Sequence, residues 1–285
     1  MLNAFRISGF VIASLFTVST YAAEPKDPGD RGEYVFNMGG CASCHTDAKN
    51  KGAPLAGGLA LKTPFGTFYS PNITPDPETG IGGWTEEEFI RAMTEGVSPD
   101  GKHYFPAFPY TSYAKMTRQD LLDLKAYLDS IPPVQKSSPE HDLAFPFNVR
   151  LLAGAWKVLF FEGDGFQENP EKSDAWNRGA YIVNGPGHCV ECHTPRNLFG
   201  AIIEEKALEG AAAGAEGEKV PGIVANGNNG FSKWKMNDIV FGLQTGMTPD
   251  GDFLGGTMGK VIANTTGKLS DADLKAIATY LNDPE

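Results

Sequence analysis

The chain has 285 residues, a formal net charge of −11 at pH 7 and four cysteines. Its length suits one or two domains, and its acidity argues against a nucleic-acid partner, which would require basic patches. An acidic surface instead favours partner proteins that present a positive patch, because opposite charges speed encounter.

The first 23 residues have the pattern of a secretory signal peptide. Arg6 supplies a positive charge, residues 9–18 form a short apolar run, and small residues follow at 20–23. A membrane anchor is the alternative, but the run is shorter than the roughly 20 residues that a spanning helix needs. Since no later stretch is long and apolar enough either, we expect an exported chain without a transmembrane span.

A Cys-x-x-Cys-His pentapeptide at 41–45 recurs at 189–193, and the two copies use all four cysteines. This pentapeptide is a c-type haem attachment site, in which two thiols bind one haem and the histidine becomes the proximal iron ligand. Zinc binding and redox dithiols are the alternatives, but each pair here has its own histidine at the same offset. The pattern predicts two covalently bound haem c groups, attached at Cys41, Cys44, Cys189 and Cys192, with His45 and His193 as proximal ligands.

The segments around the two pentapeptides repeat each other. Residues 31–37 (Arg-Gly-Glu-Tyr-Val-Phe-Asn) match 178–184 (Arg-Gly-Ala-Tyr-Ile-Val-Asn) at an offset of 147. Farther along, Trp84 and the Pro-Asp-Gly at 99–101 recur at an offset of 150. Such self-similarity indicates two duplicated structural units.

Local signals predict that both units are helical. A capping box from Thr85 to Glu88 opens a helix that ends before Gly96, a typical C-terminal cap. Thr117 and Ser270 are N-caps of the last helix of each unit, and that helix has apolar residues at helical spacing. We expect it to pack against the helix that precedes the pentapeptide and to close the haem site.

The segment 131–175 lies between the units and contains a predicted helix at 150–161. This helix is rich in leucine, alanine and aromatic residues, too apolar for a free tether. We therefore expect the segment to act as a strap that packs over the interface between the units.

Longer motifs carry a family resemblance and together span nearly the whole mature chain: 63–67, 72–76, 80–84, 104–113, 145–148, 176–179, 187–189 and 192–197. With them the chain resembles the dihaem c-type cytochromes related to the cytochrome subunits of membrane-associated alcohol, gluconate and fructose dehydrogenases. The resemblance implies an all-α fold of two tandem cytochrome c-like haem domains, at 24–130 and 176–285, joined by the strap.

The resemblance also implies a function. It points to a periplasmic electron carrier or subunit, rather than an independent enzyme, that takes electrons from a dehydrogenase and passes them to a downstream cytochrome or oxidase. The dehydrogenase subunits usually carry three haems and a C-terminal anchor, whereas this chain has two motifs and ends at Glu285. We therefore expect at most peripheral association with a membrane.

The family fold implies a distal methionine for the second haem at Met258, with Met247 as a competitor. For the first haem, the residue that matches Met258 at an offset of 150 is Phe108, which cannot ligate iron. Met116 is the favoured replacement, and the alternatives are His103 or an open site. An open site would suit a peroxidase-like dihaem enzyme, which is the alternative function.

Two further residues carry smaller expectations. A backbone carbonyl should fix the orientation of each proximal histidine, and Pro54 is the candidate for His45. His141, within the strap, is expected to face solvent.

Overall fold

A computed structural model gives the fold of residues 28–214, 218–225 and 230–284. The predicted signal peptide at 1–23 lies outside these described residues. The helices are α1 (Pro28–Met38), α2 (Cys41–His45), α3 (Glu86–Glu95), α4 (Tyr110–Tyr113), α5 (Arg118–Ser130), α6 (Arg150–Phe160), α7 (Asp174–Asn184), α8 (Cys189–His193), α9 (Met236–Thr245), α10 (Gly256–Asn264) and α11 (Asp271–Asn282). The strands are β1 (Ala60–Thr63), β2 (Gly66–Tyr69), β3 (Asp142–Leu143), β4 (Gly210–Ala211) and β5 (Val220–Pro221).

Each repeat forms a helical unit around its own apolar core. In the first unit α1 packs against α5, and in the second α7 packs against α11, as the apolar stripes predict. Leu121, Leu124 and Leu128 fill the first core, and Leu274 and Leu281 the second. The cores are interlocked, because Met38 at the end of α1 is buried in the core of the second unit.

The predicted helix ends are confirmed. Thr85 and Glu88 form both hydrogen bonds of a capping box at the start of α3, and Gly96 ends this helix with a left-handed φ of 60°. The Thr117 side chain accepts a hydrogen bond from the backbone of Asp120 at the start of α5. Ser270 caps α11 in the same way. These bonds are local, so the sequence alone identifies them.

The all-α prediction is incomplete, because two small antiparallel sheets are present. Strands β1, β2 and β3 form one sheet in that order, and β4 pairs with β5 in the other. The tight turn between β1 and β2 depends on Gly66, whose φ of 128° favours glycine. In the second sheet Gly210 lies opposite Pro221.

The strap has two parts with different packing. Its first part lies along the first unit: the Asn72 side-chain amide donates to the carbonyls of Val134 and Lys136, and β3 pairs with β2. Its second part is α6, which contacts both units. The Lys157 ammonium donates to the carbonyl of Gly96 in the first unit, and the Trp156 indole donates to the carbonyl of Phe199 in the second. The strap therefore spans the junction.

The polarity of α6 is the reverse of that of an ordinary surface helix. Lys157 is turned inward, and burial lowers its pKa to about 8. Leu151, Val158 and Leu159 point outward and are 79%, 87% and 72% exposed. Phe145 of the strap and Phe199, whose ring stacks on Phe160 of α6, are also exposed, and we call these five exposed side chains the strap face. None of the described helices combines the length and apolar character needed to span a bilayer.

His141 is half-buried, so the prediction that it faces solvent is wrong. Its ring packs edge-on against Phe68 and lies near Phe105, and its Nδ1 accepts a hydrogen bond of 3.2 Å from the backbone of Tyr69. The reason is β3, which draws the strap onto β2 and brings His141 against the first unit.

This position predicts a pH dependence of stability. Burial and the neighbouring Arg150 hold the pKa of His141 below its ordinary value. As pH falls below about 6.5, the unfolded chain therefore binds a proton that the folded chain does not, and the free energy of unfolding decreases. We expect His141→Gln to remove up to about 1 kcal/mol of the stability lost between about pH 7 and pH 5. Urea unfolding at both pH values measures this, and an identical loss in variant and wild type would contradict it.

Candidate haem-binding sites

The two pentapeptides form matching single-turn helices, α2 and α8, directly after α1 and α7. Gly40 and His188 precede them with left-handed φ values of 58° and 38°, which reverse the chain sharply. Helical spacing puts the two cysteines of each motif on one face, three residues apart. All four thiols are free, as haem attachment requires.

Each predicted proximal histidine is held by a backbone carbonyl. The Nδ1 of His45 donates to the carbonyl of Pro71 at 2.8 Å, and that of His193 donates to Pro221 at 2.7 Å. In both rings Nε2 is left to face an iron. The expectation of Pro54 is therefore wrong, because the carbonyl that binds His45 Nδ1 belongs to the segment that follows β2. Pro71 and Pro221 are separated by the repeat offset of 150, a signal that would have identified both.

The donor set fits a covalently attached haem at each motif. Burial lowers the pKa of His45 and of His193, so both rings are held neutral and can donate a lone pair. Burial also raises the pKa of the Cys41 and Cys189 thiols to about 12. Cys41 packs against the first core and Cys189 against the second, so each motif borders an apolar interior suited to the porphyrin.

Met258 lies in the first turn of α10, where it packs half-buried against the second core together with Cys189. Its competitor, Met247, lies in a bridge with Phe253 after α9. The assignment of Met258 as the distal ligand of the second haem stays a prediction.

The residues considered for the first haem are separated by the structure. Met116 is 6% exposed in the first core, against which Cys41 also packs. The Phe108 ring lies among tyrosine rings, with centroids 5.6 Å from those of both Tyr104 and Tyr113. His103 is instead turned toward the strap, and its Nδ1 is 3.2 Å from the Lys157 ammonium. Met116 stays the predicted ligand.

Each attachment helix contacts the opposite unit at the interface between the units. Ser43 in α2 accepts a hydrogen bond of 3.0 Å from Asn264, the last residue of α10. Glu191 in α8 accepts hydrogen bonds from Thr111 and Ser112 of α4, at 2.6 and 2.9 Å. The first motif therefore contacts the helix that carries Met258, and the second motif contacts the helix that precedes Met116.

Electrostatics reflects the same proximity. Burial raises the pKa of the Cys192 thiol, and the nearby Cys44 of the other motif raises it further, against the effect of Arg196. Burial also raises the pKa of the Glu191 carboxyl, but Arg196 and the two hydroxyls outweigh burial and hold that pKa below its ordinary value.

Two tyrosines, matched in the repeat, cap helices of the opposite unit. The Tyr34 hydroxyl accepts from the backbone of Ser270 at 3.0 Å and donates to Asp273 at 2.7 Å, at the start of α11. The Tyr181 hydroxyl binds the backbone of Thr117 and the Asp120 carboxylate at the start of α5. Sequence reasoning found the matched pair but not these contacts between units, which link residues far apart in the chain.

Replacement of Tyr34 by phenylalanine should weaken the association of the units. It leaves the backbone N–H of Ser270 without its interface acceptor, so we expect the free energy of unfolding to fall by about 1 to 2 kcal/mol. Urea unfolding followed by tryptophan fluorescence measures this. The matched control is Tyr280→Phe, because the Tyr280 hydroxyl binds Asn184 of its own unit. Loss of this hydroxyl should not separate the unfolding transitions of the two units. A single unaltered transition in Tyr34→Phe would contradict the prediction.

Comparison with known proteins agrees with the site. The family model for cytochrome c matches residues 29–132. The chain is 45% identical over 260 residues to a diheme c-type cytochrome of Cereibacter sphaeroides, covering 88% of this chain and 84% of that protein. It is 36% identical to the fructose dehydrogenase cytochrome subunit of Gluconobacter japonicus and 38% identical to the cytochrome c subunit of a quinone-dependent alcohol dehydrogenase of Gluconobacter oxydans.

The last two matches cover 99% and 94% of this chain. The chain spans only 57% and 58% of the length of those two subunits, so they contain additional segments. The match to the Cereibacter protein, in contrast, covers most of both chains. The chain therefore belongs to the family of c-type cytochromes that includes this diheme cytochrome and the cytochrome subunits of bacterial dehydrogenases.

Proposed function

We propose that this protein is a periplasmic electron carrier with two covalently bound haem c groups, which accepts electrons from a dehydrogenase and passes them to a downstream cytochrome or oxidase. The observation that carries the proposal is that each attachment helix directly contacts the opposite unit, the first through Ser43 and the second through Glu191. This arrangement would keep two haems close together in a fixed relation, as transfer between them requires.

Different residues of the chain have different roles at each haem site. A haem bound at each motif would supply a one-electron iron couple. The cysteine pairs hold the group, and the carbonyls of Pro71 and Pro221 orient the proximal rings. The apolar cores beside Cys41 and Cys189 keep water away from the site. The repeat thus provides two similar sites whose distal sides differ.

The test begins with haem content. Protein from the periplasmic fraction should stain for haem on a denaturing gel, because thioether attachment survives unfolding, and should contain two haems per chain. Both haems should reduce reversibly, and neither should bind carbon monoxide readily. A protein without covalent haem would overturn the proposal, and one haem that binds carbon monoxide strongly would exclude simple transfer.

The presence of phenylalanine at position 108 favours one alternative, a peroxidase-like enzyme with an open first haem. Phe108 occupies the position that matches Met258 and packs against Tyr104 and Tyr113. Turnover of hydrogen peroxide with a reduced donor protein would support this alternative. Its absence, together with reversible reduction of both haems, would support the electron carrier.

We infer that the strap face contacts the dehydrogenase. The relatives named as dehydrogenase subunits make such a partner the expected occupant of an exposed apolar face. Leu159→Asp should slow reduction of the protein by its dehydrogenase about tenfold, since it places a charge in the apolar contact. Phe241→Ser, an exposed apolar site on α9, is the control. Stopped-flow reduction measures both, and equal rates for Leu159→Asp and wild type would contradict the inference.

A further inference from the structure

The two attachment helices differ in charge at the interface. The second motif has a carboxylate, Glu191, where the first has the neutral Ser43. The Glu191 side chain is 10% exposed. Its Oε1 accepts from the hydroxyls of Thr111 and Ser112, both on α4 of the first unit. A buried charge at this point therefore touches both units.

Burial of this carboxylate is offset by specific partners. Its Oε2 lies 2.6 Å from Nη2 of Arg196, which also donates to the backbone carbonyl of Glu191. Arg196 is the more exposed of the two, at 36%, so solvent screens its charge more than it screens the carboxylate. The negative charge is therefore not fully cancelled on the side that faces α4 and the two motifs.

The position of α4 extends the influence of Glu191 to the first haem site. This short helix lies between Phe108 and Met116, which flank the segment expected on the distal side of the first haem. Glu191 itself lies between the two cysteines that attach the second haem. One carboxylate thus adjoins the attachment helix of one site and the distal segment of the other.

We propose that Glu191 lowers the reduction potentials of both haems by holding a negative charge between the two sites. This inference rests on the proposed function. An oxidised haem iron carries one more positive charge than a reduced one, so a nearby carboxylate favours the oxidised form. In the low-dielectric interface the effect is stronger than at a water-exposed surface.

The test is Glu191→Gln in the full-length holoprotein, with both midpoint potentials measured by spectroelectrochemical titration. Glutamine keeps the shape and can still accept from Thr111 and Ser112, so the variant isolates the charge. We expect both potentials to rise. Glu205→Gln, the same charge change at an exposed position of the second unit, is the control and should leave both potentials unchanged. A rise in only one potential, or in neither, would overturn the inference.

A second variant keeps the inference testable if Glu191→Gln fails to incorporate haem. Glu191→Ser introduces the residue that the first motif has at this position and also removes the charge, so both potentials should again rise. Unchanged or lowered potentials in this variant would overturn the inference too. Haem staining precedes each titration and distinguishes a failure of the proposed function from a failure of the role of Glu191. Absence of haem from the wild type defeats the proposed function, whereas two haems with unshifted potentials defeat only the role of Glu191.

Discussion

Replacing Gly179 with alanine is expected to destabilise the protein by about 3 kcal/mol, near the upper end of the usual cost of overpacking. Gly179 lies where α7 crosses α11, and a Cβ there would be 2.0 Å from the carbonyl oxygen of Ala276 and 2.9 Å from the Cβ of Tyr280. Both neighbours are fixed close to the backbone, so the helices would have to move apart. Urea unfolding of the holoprotein measures the loss.

The repeat provides an independent version of the same experiment. Gly32, at the matching position, would place a Cβ 2.1 Å from the carbonyl oxygen of Asp123, where α1 crosses α5. Gly32→Ala should therefore have a similar cost in the first unit. The control is Gly165→Ala, because a Cβ there meets no atom within 4 Å in the described part of the chain. Equal stability of Gly179→Ala and this control would contradict the close helix crossing.

The elements that sequence reasoning predicted correctly depend on nearby residues. The capping box of Thr85 and Glu88 and the caps at Thr117 and Ser270 need only three or four consecutive residues. The family motifs and the Cys-x-x-Cys-His spacing are equally local. Such signals survive without any knowledge of the fold, so the helix ends and the family could be predicted.

The errors concern contacts between distant segments. The carbonyl beside His45 belongs to Pro71, which follows β1 and β2, and not to the candidate Pro54. His141 lies in the strap but does not face solvent, because β3 pairs with β2 and brings it onto the first unit. Neither of these two contacts has a local sequence pattern. The matching positions of Pro71 and Pro221 in the two repeats, however, would have identified the carbonyl beside His45.

The strap illustrates a different limit. High apolar content predicted a packed segment, and α6 does contact both units through Trp156 and Lys157. Content alone does not reveal which face packs. Here the lysine stem and ammonium face inward because backbone carbonyls at the end of α3 accept from it, and the leucines are left outside.

The second large effect is expected from Met258→Leu. Loss of the thioether should remove the sulfur-to-iron absorption band of one haem and lower its reduction potential on the order of 0.1 V, within the wide range that axial ligands set. Leucine nearly conserves the volume, so the fold should lose less than about 1.5 kcal/mol. Spectroelectrochemistry of the oxidised and reduced protein measures both changes. Met247→Leu is the control and should preserve the band.

Met116→Leu applies the same test to the first haem, and the matching residue of the second unit indicates what a packing role would predict. The residue that matches Met116 in the second unit is Leu269, which is 7% exposed in the second core. If Met116 were only a packing residue, leucine would fill its place as it does there, and the spectrum would not change. If Met116 ligates the iron, the remaining sulfur band disappears when both methionines are replaced. A band that persists in the double variant would contradict the assignment. An unchanged first haem in Met116→Leu would instead favour the open site, because His103 is bound toward Lys157 and α6.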